Sequence, residues 1–444
     1  MGIIILIRHK QVLYESIFMK RKFVLIALVS ILLGNVGFAQ IGINKSVGVP
    51  PLFNFQKSNN GSYYINSIRY LLNVNDSLKN TNRSFYFQMS CTQYSFVGAF
   101  KQNELLFSRE LNLTNKYDDE LKSMDSYDTL NIYSYLNVLP DSVKYVFFNE
   151  DHLRPQTRVT ILNSLEILYK KGFRYLFCEA VNGKDSLLNT RKYPVIESGW
   201  YTSEPAYGNL LREAFRLGFA VLSYEDTNKA VLQNNGKVYL ASDRETEQAN
   251  NILNFISKHK DAKILVLAGH SHINENKKQG WMASVFKLKS GLNPLTIEQT
   301  DMAEYTAGSY SNNLFKLFRS KYQNKLPVML VNNEGKPYSL KANSYDITLF
   351  PSKTDYLNER PNWLINLNGN KEYQIDMKFW DINDTCLIQA INTNEDIERS
   401  IPSDQILIED IKLNYALYLR SGEYTIRRFD KNGNPVKSLI VNVE

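Results

Sequence analysis

The chain has 444 residues, 43% of them hydrophobic and 12% aromatic, with a formal net charge of +7. This excludes disordered and fibrous classes and leaves enough apolar surface for a large core in two or three domains. Arg8, Lys10, Lys20, Arg21, Lys22 and Glu15 lie in residues 1–39; without them the net charge is +3, no dense Lys/Arg run with interleaved aromatics remains, and no nucleic-acid partner is expected.

Residues 1–39 read as a targeting segment. Met19 is a second start, followed by Lys20, Arg21 and Lys22, an apolar run over 23–33 and the small-x-small site Gly37-Phe38-Ala39. That run of about 11 residues falls short of the roughly 20 that span a bilayer. Cleavage before Gln40 and a periplasmic or extracellular location are therefore expected, with no stable membrane anchor. Cys91, Cys178 and Cys386 are too few and too far apart for a disulfide framework or a CxxC metal site. Cys178, inside an apolar strand, reads as a small buried thiol.

Residues 40–140 are polar and rich in Asn, Ser and Tyr, with helical periodicity over 63–74 and 96–111, and are expected to form a mostly helical lead-in. From 141 to 344 strand and helix alternate. A strand over 144–149 breaks into Asn149, Glu150, Asp151 and His152. A helix over 155–171 then carries Leu162, Leu165, Ile167 and Leu168 and stops at Gly172, which suits the left-handed position after a helix. The next strand, 174–178, ends at Glu179.

The unit recurs. A helix over 207–217 places Leu210, Leu211, Ala214 and Phe215 on one face, and a strand over 220–224 ends at Glu225. Each acid falls six residues after a phenylalanine, Phe173 or Phe219, which predicts both carboxylates at one level. Ser242-Asp243-Arg244-Glu245 reads as a capping box opening a helix to about residue 258. The apolar strand 264–268 breaks into Gly269-His270-Ser271-His272. Strands apolar on both faces, separated by helices, predict an α/β fold: a mainly parallel sheet with helices on both faces.

Over 345–444 the periodicity shifts to two, with strand-like runs at 363–367, 373–379, 385–391 and 424–429 between turn signals such as Lys431-Asn432-Gly433. A C-terminal β-sandwich-like module is expected.

Ligands of such sheets bind beyond the carboxyl ends of the strands, where the polar residues fall. Of five histidines, His9 lies in the targeting segment and His259 at a helix end between lysines; His152, His270 and His272 all sit at strand tips, with Glu150, Glu179 and Glu225. Imidazoles move protons near neutral pH, and a neighbouring carboxylate fixes the tautomer. The same groups are also a donor set for a divalent metal. Arg158 and Arg244, each near a helix start, are candidates to bind an anionic substrate group or an oxyanion; the alternative is ion pairing with the clustered acids.

Gly269-His270-Ser271-His272 matches the last motif of calcineurin-like metallophosphoesterases, but that family's Asp-x-His, Gly-Asp-x-x-Asp and Gly-Asn-His are absent. No histidine follows His272, which disfavours amidohydrolases, and Ile273 stands where a nucleophile elbow needs its last Gly.

The motifs resemble those of the superfamily containing erythromycin esterases, the haem-binding ChaN-like proteins and, more remotely, the Tiki/TraB group. There an apolar strand ends in Gly-Glu-x-His or Gly-Glu-x-x-His, a second ends in Glu, and a late strand delivers another His. Asn149-Glu150-Asp151-His152, Phe177-Cys178-Glu179-Ala180 and the 267–272 segment stand in those places, with Asn149 for the usual Gly. The resemblance implies that Glu150 and His152 form a first catalytic pair, Glu179 a second acid, and His270 or His272 the late histidine. It implies an exported hydrolase that activates water against an ester or amide in a small-molecule or peptide substrate. Its other branches imply a haem-binding protein, which would present Tyr or His to iron and for which Tyr201 and Tyr224 are available, or a metal-dependent peptidase.

Overall fold

The computed structural model describes residues 60–73, 83–110, 125–225, 241–304, 313–365, 367 and 369–444. The expected targeting segment, 1–39, lies outside the described residues. Strands β1 (Tyr127–Asn131), β2 (Tyr145–Glu150), β3 (Phe173–Cys178), β4 (Ala220–Ser223), β5 (Lys263–Gly269), β6 (Leu295–Glu298), β7 (Val328–Asn332) and β8 (Ile347–Phe350) form one sheet. Its order is β1-β7-β8-β6-β2-β5-β3-β4. The six strands from β8 to β4 run parallel, and β7 and β1 close one side antiparallel.

Both faces of β2 are buried, and alternate residues serve different layers. Val146 and Phe148 pack with Leu162, Leu165 and Leu168 of the helix Gln156–Lys170 and with Leu210 of the helix Pro205–Leu217. Tyr145 and Phe147 pack with Ile252 and Ile256 of the helix Ala241–Lys258 and with Phe286 of the helix Met282–Ser290. Each such buried side chain contributes roughly 1.5–3 kcal/mol relative to exposure, so the apolar runs that carry no alternation are the ones covered twice.

The flanking segments share this sheet: β1 comes from before residue 141 and β8 from after 345. Downstream, β9 (Tyr356–Leu357) pairs with β10 (Arg360–Pro361) and β11 (Lys371–Gln374) with β14 (Ala416–Leu419). β12 (Cys386–Asn392), β13 (Asp404–Ile408), β15 (Gly422–Asp430) and β16 (Pro435–Val443) form an antiparallel sheet in the order β13-β12-β15-β16. Ile388, Ile406, Leu417 and Ile426 form the core common to the two β-sheets. The strand expected over 363–367 is instead a short 3-10 turn, Asn362–Leu364. Trp363 there docks edge-on to Phe100 at 5.0 Å between ring centroids, so it faces the main core instead of a β-partner.

The lead-in is helical at Asn60–Leu72, Arg83–Phe96 and Phe100–Glu110. The stripe expected over 96–111 is split, because Phe96 closes one helix and Gly98, at φ +70°, turns the chain before the next. Tyr64, Ile68 and Phe96 of these helices pack on Leu387, Leu407 and Phe429 of the C-terminal sheet. Among the described residues no helix is long and apolar enough to cross a membrane.

Candidate functional site

Parallel register brings the tips together. Glu150 pairs with Gly269, and Cys178 pairs with both Leu267 and Ser223, so β2, β5, β3 and β4 end at one sheet edge. Glu179 and Glu225 are not level as expected: Tyr175 pairs with Ala220, which sets Phe173 opposite Gly218 and Glu225 one residue beyond Glu179. Both carboxylates nevertheless meet the same cation.

The first cluster is built on Glu150. Its Oε1 lies 2.7 Å from His152 Nδ1, and its Oε2 accepts from Arg158 Nε at 2.5 Å. Arg158 Nη2 donates to the His152 carbonyl at 3.0 Å, and Nη1 to Glu204 Oε2 at 3.0 Å. Glu204 caps the helix Pro205–Leu217 by accepting from Ala206 and Tyr207 N–H, both at 2.9 Å. Burial alone would raise the Glu150 pKa, but Arg158 and His152 outweigh it and hold the carboxyl down at about 2. A permanent carboxylate on Nδ1 makes that nitrogen the donor, leaving the Nε2 lone pair as a base. No hydrogen-bond partner for Nε2 occurs among the described residues.

The second cluster is built on Arg244, which donates to Glu225 Oε1 at 2.9 Å, to Glu225 Oε2, and to Glu179 Oε1 at 2.6 Å. His272 sits between carboxylates, with Nδ1 2.9 Å from Glu245 Oε2 and Nε2 3.3 Å from Glu179 Oε1. Burial opposes its protonation; Glu179 and Glu245 overcome that and raise its pKa to about 10. The raised pKa favours the imidazolium, which donates to both acids, whereas a neutral ring accepts at Nε2 from Arg244 Nη1, 3.2 Å away. Glu179 is held well below the ordinary carboxyl range, because His272 and Arg244 outweigh its burial. Its Oε2 accepts from the Gly269 N–H at 2.6 Å.

Gly269 has ordinary extended backbone, φ −79° and ψ 144°. What requires glycine is space: a Cβ would stand 2.5 Å from His152 Cε1 and Nε2 and 3.0 Å from Glu179 Oε2. His270 follows at φ +34°, a left-handed conformation costly for a residue with a Cβ. Asn149 holds it there, donating from Nδ2 to the His270 carbonyl at 2.7 Å while its Oδ1 accepts from Gln299 N at 2.8 Å. Asn149, at the place where the resembled families carry Gly, thus ties three strand ends together.

His270 is the open histidine of the three, with 46% of its side chain accessible. The walls around it still desolvate the ring, and with His152 nearby they hold its pKa below the ordinary value against the pull of Asp151. Its Nε2 lies 3.8 Å from Asp151 Oδ1, and its ring meets His152 edge-on at 5.6 Å.

The expectation that Arg158 and Arg244 bind an anionic substrate group gives way to the ion-pairing alternative. Arg158 is wholly buried, Arg244 nearly so, and their donors already point at Glu150, Glu204, Glu179 and Glu225. The same pairing bears on cofactors. Among the described residues no group of three or more His, Cys, Asp or Glu side chains is arranged to hold a metal, and Glu150, Glu179 and Glu225 already face guanidinium groups. Tyr224 is fully buried and donates to the Leu267 carbonyl at 3.4 Å, and Tyr201 lies flat on His152. Burial raises both phenol pKa values. Neither tyrosine is placed to reach a haem iron at the open end of the site, where His152 Nε2 and His270 are the available nitrogen donors. Cys178 is no nucleophile, its thiol pushed up to about 12 by burial.

Three functional neighbours escaped the sequence reading. Glu245 is not part of a capping box: Ser242 lies inside the helix, and Glu245 turns to His272 and to the Met282 N–H at 2.8 Å. Glu204 carried a signal, an acid just before Pro205 at a helix start. Tyr201 is legible in the sequence only as an available haem ligand, and as one of 28 tyrosines it carries no signal of a place beside His152.

No protein-family model matches the chain, and no curated protein matches it significantly. Among solved structures, the type III effector HopBA1 is similar at 13% identity and a TM-score of 0.27, covering 41% of this chain and 90% of its own. Similarity of that degree carries no inference about fold or chemistry.

Proposed function

We propose that the protein is an exported hydrolase of the erythromycin esterase-like kind, in which His152 activates water against an ester or amide carbonyl. The observation that carries this reading is the Glu150–His152 pair, 2.7 Å at Nδ1 with Nε2 left as a base. His152 Nε2 takes a proton as the water oxygen bonds to the carbonyl carbon, and Glu150 stabilises the imidazolium that forms. When the tetrahedral intermediate collapses, that proton passes to the departing alcohol or amine. His270, neutral and open, donates a hydrogen bond to the developing oxyanion. Arg244, Glu179, Glu225 and His272 support the edge from behind, so that Arg244, a candidate oxyanion binder by sequence, leaves this part to His270.

The test is turnover of a panel of p-nitrophenyl esters, macrolactones and N-acyl amides by the parent and by His152→Ala and Glu150→Gln. Loss of about a thousandfold or more in kcat/KM is expected for His152→Ala. Undiminished turnover in both folded variants overturns the reading. Export is tested separately, by mass spectrometry of the mature N-terminus in cell fractions, where a chain beginning at Gln40 is expected.

A further inference from the structure

Glu150 fixes one nitrogen of His152 but leaves the ring free to swing about that hydrogen bond, and a base must be aimed. Tyr201 supplies the missing constraint. Its ring lies face to face with His152, centroids 4.0 Å apart and planes 14° from parallel.

Tyr201 belongs to no strand of the main sheet. It opens the short turn Tyr201–Ser203 in the connection between β3 and the helix Pro205–Leu217. Within the connection, Asp185 pairs with Arg191 at 2.6 Å and accepts from Ser198 Oγ at 2.6 Å, while Ser198 Oγ accepts from Val195 N at 2.9 Å. From outside, the C-terminal segment grips it: Val195 bridges Ser400, Ile196 N donates to the Arg399 carbonyl at 3.0 Å, and Ile401 N to the Pro194 carbonyl at 3.2 Å. From the lead-in helices, Tyr64 Oη donates to the Ser203 carbonyl at 2.6 Å. Trp200 and Tyr201 complete an apolar cluster with Tyr64, Phe96, Ile401 and Phe429, none of them from the α/β sheet.

We propose that Tyr201 is the positioning residue that sets the ring plane of His152, and that the lead-in helices and C-terminal β-strands hold its loop in place as working parts of the site. The proposal rests on His152 being the base. It gives the flanking segments a task in catalysis.

The test follows the His152 imidazole by NMR in the full chain, its signal assigned by loss in His152→Gln, alongside turnover. Tyr201→Leu removes the ring, Tyr201→Phe restores it, and Asp185→Ala loosens the loop at a distance. In Tyr201→Leu the His152 Cε1–H signal is expected to move downfield as the ring current is lost, with kcat down about tenfold or more and KM within about threefold. Tyr201→Phe recovers the signal and most of kcat, and Asp185→Ala moves the signal in the same direction as Tyr201→Leu by less. A folded Tyr201→Leu with parental signal and kcat overturns the proposal. If Tyr201→Leu does not fold, an Asp185→Ala loop that proteolysis finds loosened while the His152 signal stays put overturns it equally. The spectroscopic arm needs no substrate, so absence of turnover would sink the hydrolase reading alone.

Discussion

Gly269 leaves open the space that the His152 ring occupies: a Cβ at that position would stand 2.5 Å from both Cε1 and Nε2 of the imidazole. The glycine backbone is extended, so an alanine there is strained by its contacts, with this ring and with Glu179 Oε2, and not by its φ. Gly269→Ala is expected to fold and to lose about a hundredfold in kcat, since displacing a catalytic group by about 1 Å costs that much. Parental kinetics in the folded variant would separate Gly269 from the site.

Arg244 neutralises Glu179 and Glu225 together from a buried position. Arg244→Met removes the guanidinium shared by two buried carboxylates, leaving Glu179 to His272 and Glu225 to the Gln248 amide, and is expected to cost about 3–5 kcal/mol in urea denaturation. Arg244→Lys should recover only part of this, because an ammonium cannot reproduce the forked contact with Glu225 and Glu179.

The contributions of Glu150 and His272 to stability are both in full between about pH 4.5 and 6.5, and each is lost on its own side of that window. The Glu150 pKa drops from 4.5 to about 2 on folding, so its contribution is complete above 4.5 and vanishes as pH falls towards 2. The His272 pKa rises from 6.5 to about 10, so its contribution is complete below 6.5 and is lost as pH climbs through 10. Denaturation midpoints across pH should show both limbs, with the alkaline limb flattened in His272→Gln and the acid limb in Glu150→Gln.

Asn149→Gly tests the side-chain tie at the end of β2. It removes the bonds to the His270 carbonyl and Gln299 N. A loss of about 1–3 kcal/mol is expected, measured by thermal denaturation, because buried donors and acceptors are left unmade. Faster amide hydrogen exchange over residues 269–273 would accompany it.

The sequence by itself determined the alternation of strands and helices, the sheet edge at which chemistry gathers, and the identity of His152, Glu150, Glu179, Glu225, His270 and His272 as neighbours. These follow from local rules: doubly apolar strands must be covered on both faces, and parallel strands put their carboxyl ends on one side. Only the tertiary structure decided where each polar group points. Two arginines that looked able to hold an anion are turned inward, because each lies between acids from different elements, Arg158 between Glu150 and Glu204 and Arg244 between Glu179 and Glu225. Glu245, which looks like a helix cap, supports a histidine 27 residues away. Tyr201 reaches His152 because helices from before the sheet and strands from after it close on its loop. Pairings of this kind depend on register and on contacts between distant segments, for which no local pattern of residue types exists.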